Sequence, residues 1–198
     1  KPFFSDYWSV PSSIPQKPFL LISCNTGYAN NIKSFGELIK FENEMGRFQS
    51  YPEQLEMRIG RSAEDFNKIL EYIKAVKYLS DHSNGYDIVL RPHPAEDIEA
   101  WKIILKGIPN VHVIREGSIN SWVNNAFAVM HNSCTTALEA TVLKKPVVTY
   151  IPSEQQYTPQ LANELGYRVK SLDELLDKVN AIFDSSKINN KKKLEETL

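Results

Sequence analysis

The chain has 198 residues, 42% hydrophobic, 24% charged and 11% aromatic, a composition that supports a sizeable folded core and excludes collagen-like, disordered and low-complexity proteins. Its formal net charge of -1 provides no basic field for a polyanion, which argues against a nucleic-acid partner. Its 2 cysteines, Cys24 and Cys134, are too few and too far apart for a disulfide framework or a cysteine metal site, and they fit a reducing compartment.

No apolar run approaches the roughly 20 residues that a membrane-spanning helix needs, and the start lacks the order of a signal peptide. We therefore expect a cytoplasmic protein that at most associates peripherally with the inner face of the cell membrane. Because the sequence begins with Lys1 instead of methionine, we also expect it to be part of a longer protein.

Residues 1–18 are rich in proline and serine, which predicts a linker, and the aromatic residues within 1–8 predict an arm that rests on a surface. Residues 19–184 are predicted as one domain, and 185–198 as a charged tail that forms a truncated helix. Helical spacing in residues 34–60 is interrupted by Gly46, Pro52 and Gly60, so we interpret this stretch as an irregular insertion.

Short apolar runs alternate with amphipathic segments through the predicted domain. The predicted strands are 19–24, 86–90, 111–114, 126–130, 146–150 and 167–169. The predicted helices are 62–79, 96–106, 118–124, 135–143 and 172–183, with Ser62 and Ser171 as the N-caps of the first and the last. Strands that alternate with helices in this way predict an α/β fold, a Rossmann-like three-layer domain with a parallel sheet.

Ligands of open parallel sheets bind beyond the carboxyl ends of the strands. Three loops follow predicted strands with polar residues and are therefore candidates: 25–31, 91–96 and 131–136. The sequence contains none of the glycine-rich dinucleotide, P-loop or hydrolase-elbow motifs, so these site classes lose their main support.

His93 lies between two prolines directly after a strand, so its backbone is restricted on both sides. An imidazole held in this way can donate a hydrogen bond to a phosphate or carry a proton, and Arg91 supplies a permanent charge beside it. The structural alternative is a stiff strand exit in which Arg91 pairs with Glu96 or Asp97.

The turn at 131–136 places the hydroxyls of Ser133, Thr135 and Thr136 at the start of a predicted helix, which suits a phosphate group. Glu139 follows one turn later, where a carboxylate can accept hydrogen bonds from a ribose. Ordinary N-capping and an exposed helix carboxylate are the structural alternatives. Cys134 is interpreted as a small buried thiol rather than a nucleophile.

Two segments, Leu90–Glu96 with Trp101 and His131–Ala140 with Lys145–Val148, resemble the carboxyl-terminal half of bacterial surface-carbohydrate biosynthesis proteins. These proteins look like GT-B glycosyltransferases related to the Kdo transferases of capsule and lipopolysaccharide assembly. The loop 25–30 is similar to that family's first-strand loop.

The resemblance implies a site for a nucleotide-activated sugar in which His93 is also the catalytic residue, because it stabilises the leaving phosphate. The implied contacts are Arg91, His93, Ser133, Thr135 and Thr136 to the donor phosphate; Glu139, His131 and Asn132 to the ribose and base; and Asn25, Thr26 and Asn30 to the sugar.

The expected function is donor binding in a GT-B glycosyltransferase of surface-polysaccharide biosynthesis, with CMP-Kdo or a related CMP-activated sugar as donor and a glycan as acceptor. No metal and no cofactor are expected. The catalytic carboxylate would belong to an absent amino-terminal Rossmann domain, so the chain alone would be inactive. The alternatives are a nucleotide-sugar epimerase of the same architecture and a non-catalytic nucleotide- or sugar-binding domain of an assembly complex.

Overall fold

A computed structural model describes residues 9–83 and 85–195, so the predicted aromatic arm at 1–8 and residues 196–198 of the predicted tail lie outside the described residues. Six parallel strands form one sheet in the order β3-β2-β1-β4-β5-β6. The strands are β1 (Phe19–Ser23), β2 (Asp87–Arg91), β3 (Val111–Val113), β4 (Ala128–His131), β5 (Val147–Tyr150) and β6 (Tyr167–Val169).

All residues of β1 and β4 are buried, as expected for central strands that are covered on both faces. The helices are α1 (Phe35–Glu44), α2 (Arg47–Ser50), α3 (Glu53–His82), α4 (Ile98–Ile104), α5 (Ile119–Asn125), α6 (Thr136–Val142) and α7 (Leu172–Glu195), with a 3-10 turn at Leu161–Glu164. Side chains of α3, α4 and α7 pack in the hydrophobic cluster on one face of the sheet, and those of α5 and α6 in the cluster on the other. The predicted three-layer Rossmann-like fold is confirmed.

The prediction of an irregular insertion at 34–60 is wrong, because this stretch forms α1, α2 and the start of α3. Ser34 caps α1 through a reciprocal pair of hydrogen bonds with Glu37. The 30-residue helix α3 runs through the predicted cap at Ser62, whose hydroxyl instead donates to the carbonyl of Arg58 at 2.9 Å. Pro52 at the N-cap of α3 costs no helical hydrogen bond.

The described part of the predicted linker packs on the domain. Pro11 is buried, and the carbonyl of Ser9 accepts a hydrogen bond from the Ser121 hydroxyl at 2.7 Å. At the other end, α7 continues through the predicted boundary at residue 185. The remaining domain division stays a prediction.

The connections leave β1 and β4 toward opposite edges of the sheet, which makes the gap beyond Ser23 and His131 the switch point where ligands of such sheets bind. Within residues 9–83 and 85–195, no helix combines the length and apolar character that a membrane crossing requires.

Candidate functional site

Two of the three predicted loops meet at the switch point. A cleft of about 420 Å³ is lined by His93 and both prolines of its loop, by Thr135 and Thr136 at the start of α6, and by Glu139 one turn into that helix. The ends of β1 and β2 and the loop after β3 complete its walls. The structure therefore brings the Pro-flanked imidazole and the hydroxyl-bearing turn to one concave surface.

The orientation of His93 follows from local hydrogen bonds. Its exposed ring accepts the backbone N–H of Ala95 at Nδ1, with a distance of 3.2 Å. In the neutral ring the proton must then lie on Nε2, which becomes a hydrogen-bond donor. Both neighbouring prolines limit movement of the loop that carries this ring along the cleft.

Glu96 holds the His93 loop against the first-strand loop, a role the sequence reasoning missed. Its fully buried carboxylate accepts the amide and the hydroxyl of Thr26, both at 2.8 Å, the indole N–H of Trp101 at 2.7 Å and the amide of His93 at 3.4 Å. Thr26 is also fully buried, so its hydroxyl is not available for the sugar contact that was expected of it.

Arg91 lines the cleft but uses its guanidinium for the protein backbone. Two of its N–H groups donate to the carbonyls of Glu116 at 2.7 Å and Gly117 at 2.6 Å. It pairs with neither of the acids considered in the structural alternative. Burial, and then repulsion from Arg115, lower its pKa to about 10, which still leaves it cationic at neutral pH. Arg91 therefore supplies positive potential to the cleft while it fixes the opposite wall.

Arg115 is a second cation of this cleft that was not predicted. One of its nitrogens donates to the carbonyls of His93, Pro94 and Glu96, the last at 2.8 Å. The sequence could have indicated this residue, because it is basic and lies just beyond a strand of the parallel sheet, where ligands bind. Its position stabilises the His93 loop and adds a second positive charge near the imidazole.

The three hydroxyls of the predicted phosphate cradle separate in the structure. Ser133 has a φ of 53°, and its amide donates to Asn163 Oδ1 while its hydroxyl accepts from Lys68 Nζ at 3.4 Å. Its buried side chain does not line the cleft, so the predicted phosphate contact of Ser133 is not supported by its position. The left-handed backbone turns the side chain toward α3 instead.

Thr135 and Thr136 both line the cleft, but their hydroxyls differ in exposure and in hydrogen bonding. Thr135 is exposed at the N-cap of α6, and its side chain makes no capping hydrogen bond. The buried hydroxyl of Thr136 accepts from the hydroxyl of Ser23 at 2.9 Å and from Cys134 Sγ at 3.4 Å. Thr135 is thus able to contact a ligand directly, whereas Thr136 forms the hydrogen-bonded floor.

Glu139 is half-buried in the cleft wall, contrary to the alternative of an exposed carboxylate. Its Oε2 atom is inaccessible to solvent and has no hydrogen-bond partner among the described residues. Desolvation raises the pKa of this carboxyl. A donor such as a ribose hydroxyl would satisfy this oxygen once the side chain turns it toward the cleft.

His131 and Asn132 do not reach the cleft. The fully buried imidazole of His131 contacts Thr149 Oγ1 through Nε2 at 2.8 Å and accepts the amide of Cys134 at Nδ1. Burial lowers its pKa from 6.5 to about 4, so the ring is neutral at physiological pH. Asn132 is buried and accepts from Gln155 at 3.0 Å. Their positions do not support the predicted ribose and base contacts.

The predicted sugar loop is also directed elsewhere. Asn25 donates to the carbonyl of Ser133 at 2.9 Å, and Asn30 donates to the carbonyl of Asp97 at 3.0 Å. These bonds connect the first-strand loop to its neighbours. Neither asparagine lines the cleft.

The two cysteines line the cleft but are buried, and they are not arranged as nucleophiles. Cys24 is buried, and desolvation raises the pKa of its thiol well above the ordinary value, which keeps it protonated. Cys134 is buried and lies 3.2 Å from the hydroxyl of Ser23. In the described part of the chain, no group of three or more His, Cys, Asp or Glu side chains is arranged to hold a metal ion.

No family model matches this sequence, and no match is found among curated proteins. Among solved structures, the chain is similar to Methanocaldococcus jannaschii UDP-GlcNAc 2-epimerase in complex with UDP-GlcNAc and UDP, with 16% identity and a TM-score of 0.43. It is also similar to S. aureus MnaA bound to UDP, with 14% identity and a TM-score of 0.46. The matches cover 83% and 88% of this chain, but only 38% and 41% of those proteins.

Proposed function

We propose that this chain is the nucleotide-sugar-binding half of a GT-B-type enzyme that builds surface polysaccharide. The observation that carries the proposal is the single cleft in which His93, Thr135 and Glu139 meet. Its volume of about 420 Å³ lies within the range of small-molecule sites. Two of these side chains suit a phosphate and the third suits a ribose, and both groups are parts of a nucleotide sugar.

The nucleotide phosphate would lie between His93 and Thr135. The Nε2–H of the imidazole and the uncapped hydroxyl are the donors, and the charges of Arg91 and Arg115 add attraction without direct contact. The carboxylate of Glu139, which lines the cleft, would turn to accept a hydroxyl of the ribose. This assignment keeps three of the expected contacts and gives Arg91 an electrostatic role.

The favoured reaction is glycosyl transfer from a CMP-activated acidic sugar such as CMP-Kdo. The acceptor hydroxyl oxygen bonds to the anomeric carbon as the bond from that carbon to the phosphate oxygen breaks. The electron pair of the broken bond remains on the phosphate, and the hydroxyl proton passes to a base. Donors held next to that oxygen would stabilise the developing charge without reorganisation. The acceptor glycan and its base would contact a separate amino-terminal domain.

Epimerisation of a nucleotide sugar is the second candidate, and Glu139 is the observation that favours it. A carboxyl with a raised pKa and an unpartnered oxygen can exchange a proton with a bound sugar, and this reaction needs no acceptor. The two candidates share the phosphate site and differ in the role of Glu139.

Calorimetric titration of the chain with CMP, CDP and UDP tests the shared site. We expect one nucleotide to bind, and His93→Ala to weaken binding by about 1.5 to 3 kcal/mol, which is the range for a charge-assisted hydrogen bond. His82→Ala removes an exposed imidazole at the end of α3 and should leave the affinity unchanged. Equal affinities for wild type and His93→Ala would remove the phosphate role.

Turnover then separates the two reactions. With the chain joined to an amino-terminal partner domain, CMP-Kdo, CDP-glycerol and UDP-sugars are supplied with and without a glycan acceptor. Sugar attached to the acceptor identifies a transferase, and an altered sugar formed without acceptor identifies an epimerase. Tight nucleotide binding with no turnover of any donor would point to the non-catalytic alternative.

A further inference from the structure

A second pocket, of about 470 Å³, lies against α3 and the first-strand loop and shares no lining residue with the His93 cleft. We call it the arginine pocket. Its walls include Asn25, Tyr28, Arg47, Arg58, Arg61 and Tyr157. Most of its charged residues come from the stretch 34–60 and the start of α3, which the proposed function does not use.

Two guanidinium groups of this pocket are buried with incomplete hydrogen bonding. The side chains of Arg58 and Arg61 are only 8% and 7% exposed. The Nε atom of Arg58 is inaccessible to solvent and has no hydrogen-bond partner among the described residues, whereas Nε of Arg61 lies 3.2 Å from Asp65 Oδ1 in an ion pair. Each guanidinium has one carboxylate partner, Glu42 for Arg58 and Asp65 for Arg61, and burial of a cation with incomplete hydrogen bonding is costly. An oxyanion that binds in the pocket would supply further acceptors.

Positive charge exceeds negative charge on the pocket walls. Three arginines line it together with a single carboxylate, that of Glu42. One oxygen of Glu42 serves two of them, at 3.0 Å from Arg47 and 3.1 Å from Arg58. The third, Arg61, shares Asp65 with Lys68, whose ammonium lies closer at 2.8 Å. The lining arginines therefore outnumber the lining carboxylate, and Asp65 and Glu64 beside them offset part of this positive charge.

The pocket is held in shape by contacts that do not involve a ligand. The Arg58 guanidinium stacks 4.2 Å above the ring of Tyr28, and the Tyr28 amide donates to Asp65 at 3.1 Å. On the opposite wall, Glu64 accepts the amide of Tyr157 at 2.8 Å. Preorganised guanidinium groups lose little conformational entropy when they bind a phosphate.

We propose that the arginine pocket binds a ligand with a doubly charged phosphate group, either a phosphate monoester or a diphosphate. The lining arginines attract an anion, and their planar donors match the geometry of phosphate oxygens. The site is separate from the nucleotide cleft and does not depend on the function proposed for it. It gives the chain a second place to hold a phosphorylated sugar, lipid or metabolite.

Pyrophosphate titrated into the His93→Ala protein tests this site with the nucleotide cleft weakened. We expect one pyrophosphate per chain, and at least tenfold weaker binding in Arg58→Gln and in Arg61→Gln. Lys74→Gln removes one positive charge from an exposed, surface-paired side chain of the same helix and should bind as the parent does. Far-UV circular dichroism verifies that each variant is folded.

Amide NMR spectra of the wild-type chain provide a readout that needs no variant. Pyrophosphate should shift the resonances of Asn25, Tyr28 and Tyr157, whereas sodium acetate at the same concentration should shift them little. The proposal is overturned if pyrophosphate does not bind, or if Arg58→Gln binds it as tightly as the parent does. It is also overturned if acetate causes equal shifts, or if the shifts are confined to His93 and Thr135.

Discussion

The indole N–H of Trp101 donates to a carboxylate oxygen of Glu96 at 2.7 Å, and neither residue is exposed to solvent. The same carboxylate accepts two hydrogen bonds from Thr26 and one from the amide of His93. A single buried charge thereby connects α4, the first-strand loop and the proposed phosphate-binding imidazole. Glu96 is a positioning residue, since it acts on the ligand only through His93.

Replacement of Glu96 by Gln should destabilise the fold by about 2 to 4 kcal/mol, because a carboxamide leaves at least one buried donor unsatisfied. Urea unfolding followed by circular dichroism measures this free energy. Glu99→Gln, on the exposed side of α4, should change it by less than about 0.5 kcal/mol. Similar losses in the two variants would show that the buried carboxylate is not a structural centre.

Thr135 and Thr136 should respond in opposite ways to substitution. Thr135→Ala removes an exposed hydroxyl, so we expect nucleotide affinity to fall by about 0.5 to 1.5 kcal/mol with little change in stability. Thr136→Val removes the acceptor of the buried Ser23 hydroxyl and should cost about 1 to 3 kcal/mol of stability. Calorimetry and urea unfolding on both variants check this contrast, which fails if Thr135→Ala binds nucleotide as wild type does.

The buried imidazole of His131 should make stability depend on pH. Its folded-state pKa of about 4 lies below the ordinary value of 6.5, so only the unfolded chain takes up this proton between those values. The contribution to stability is complete above pH 6.5 and is lost as the pH falls toward 4. For one such group the loss between pH 7 and pH 4.5 is about 2 kcal/mol.

His131→Gln isolates this contribution, because the carboxylates that also titrate in acid are common to both proteins. The free energy of unfolding, measured in urea from pH 7 to pH 4.5, should fall less steeply for the variant. Parallel curves for the two proteins would mean that the imidazole is not held neutral by burial.

Gly60 lies beneath the ring of Tyr157, and a Cβ atom at this position would overlap the ring carbons. Gly60→Ala should therefore displace Tyr157 and destabilise the protein by about 1 kcal/mol, because the steric cost exceeds the gain in helix propensity. Pyrophosphate binding in the arginine pocket should also weaken. Gly36→Ala, which meets no atom within 4 Å, should be neutral or stabilising by up to about 1 kcal/mol. Thermal unfolding of both variants tests whether the Tyr157 ring packs against Gly60.

Local pattern was sufficient to predict the sheet and its flanking helices. Apolar runs such as Phe19–Ser23 and the helical spacing after Phe66 arise from residues close together in the chain, and burial on one or both faces follows from that spacing. The parallel order then placed the loops that contain His93 and Thr135 at the same edge. For this reason the principal members of the proposed site could be named from sequence.

Which way each side chain of those loops points was decided by partners far along the chain. Asn163 holds the left-handed backbone of Ser133, and Thr149 contacts the neutral ring of His131. In α3, the ring of Tyr157 occupies the space where a side chain at Gly60 would lie. Hydrogen bonds and close contacts between distant residues leave no periodic trace in a sequence. The separation of Thr135 from Ser133, and the collection of Arg58 and Arg61 in one pocket, exist only because the folded backbone brings those partners together.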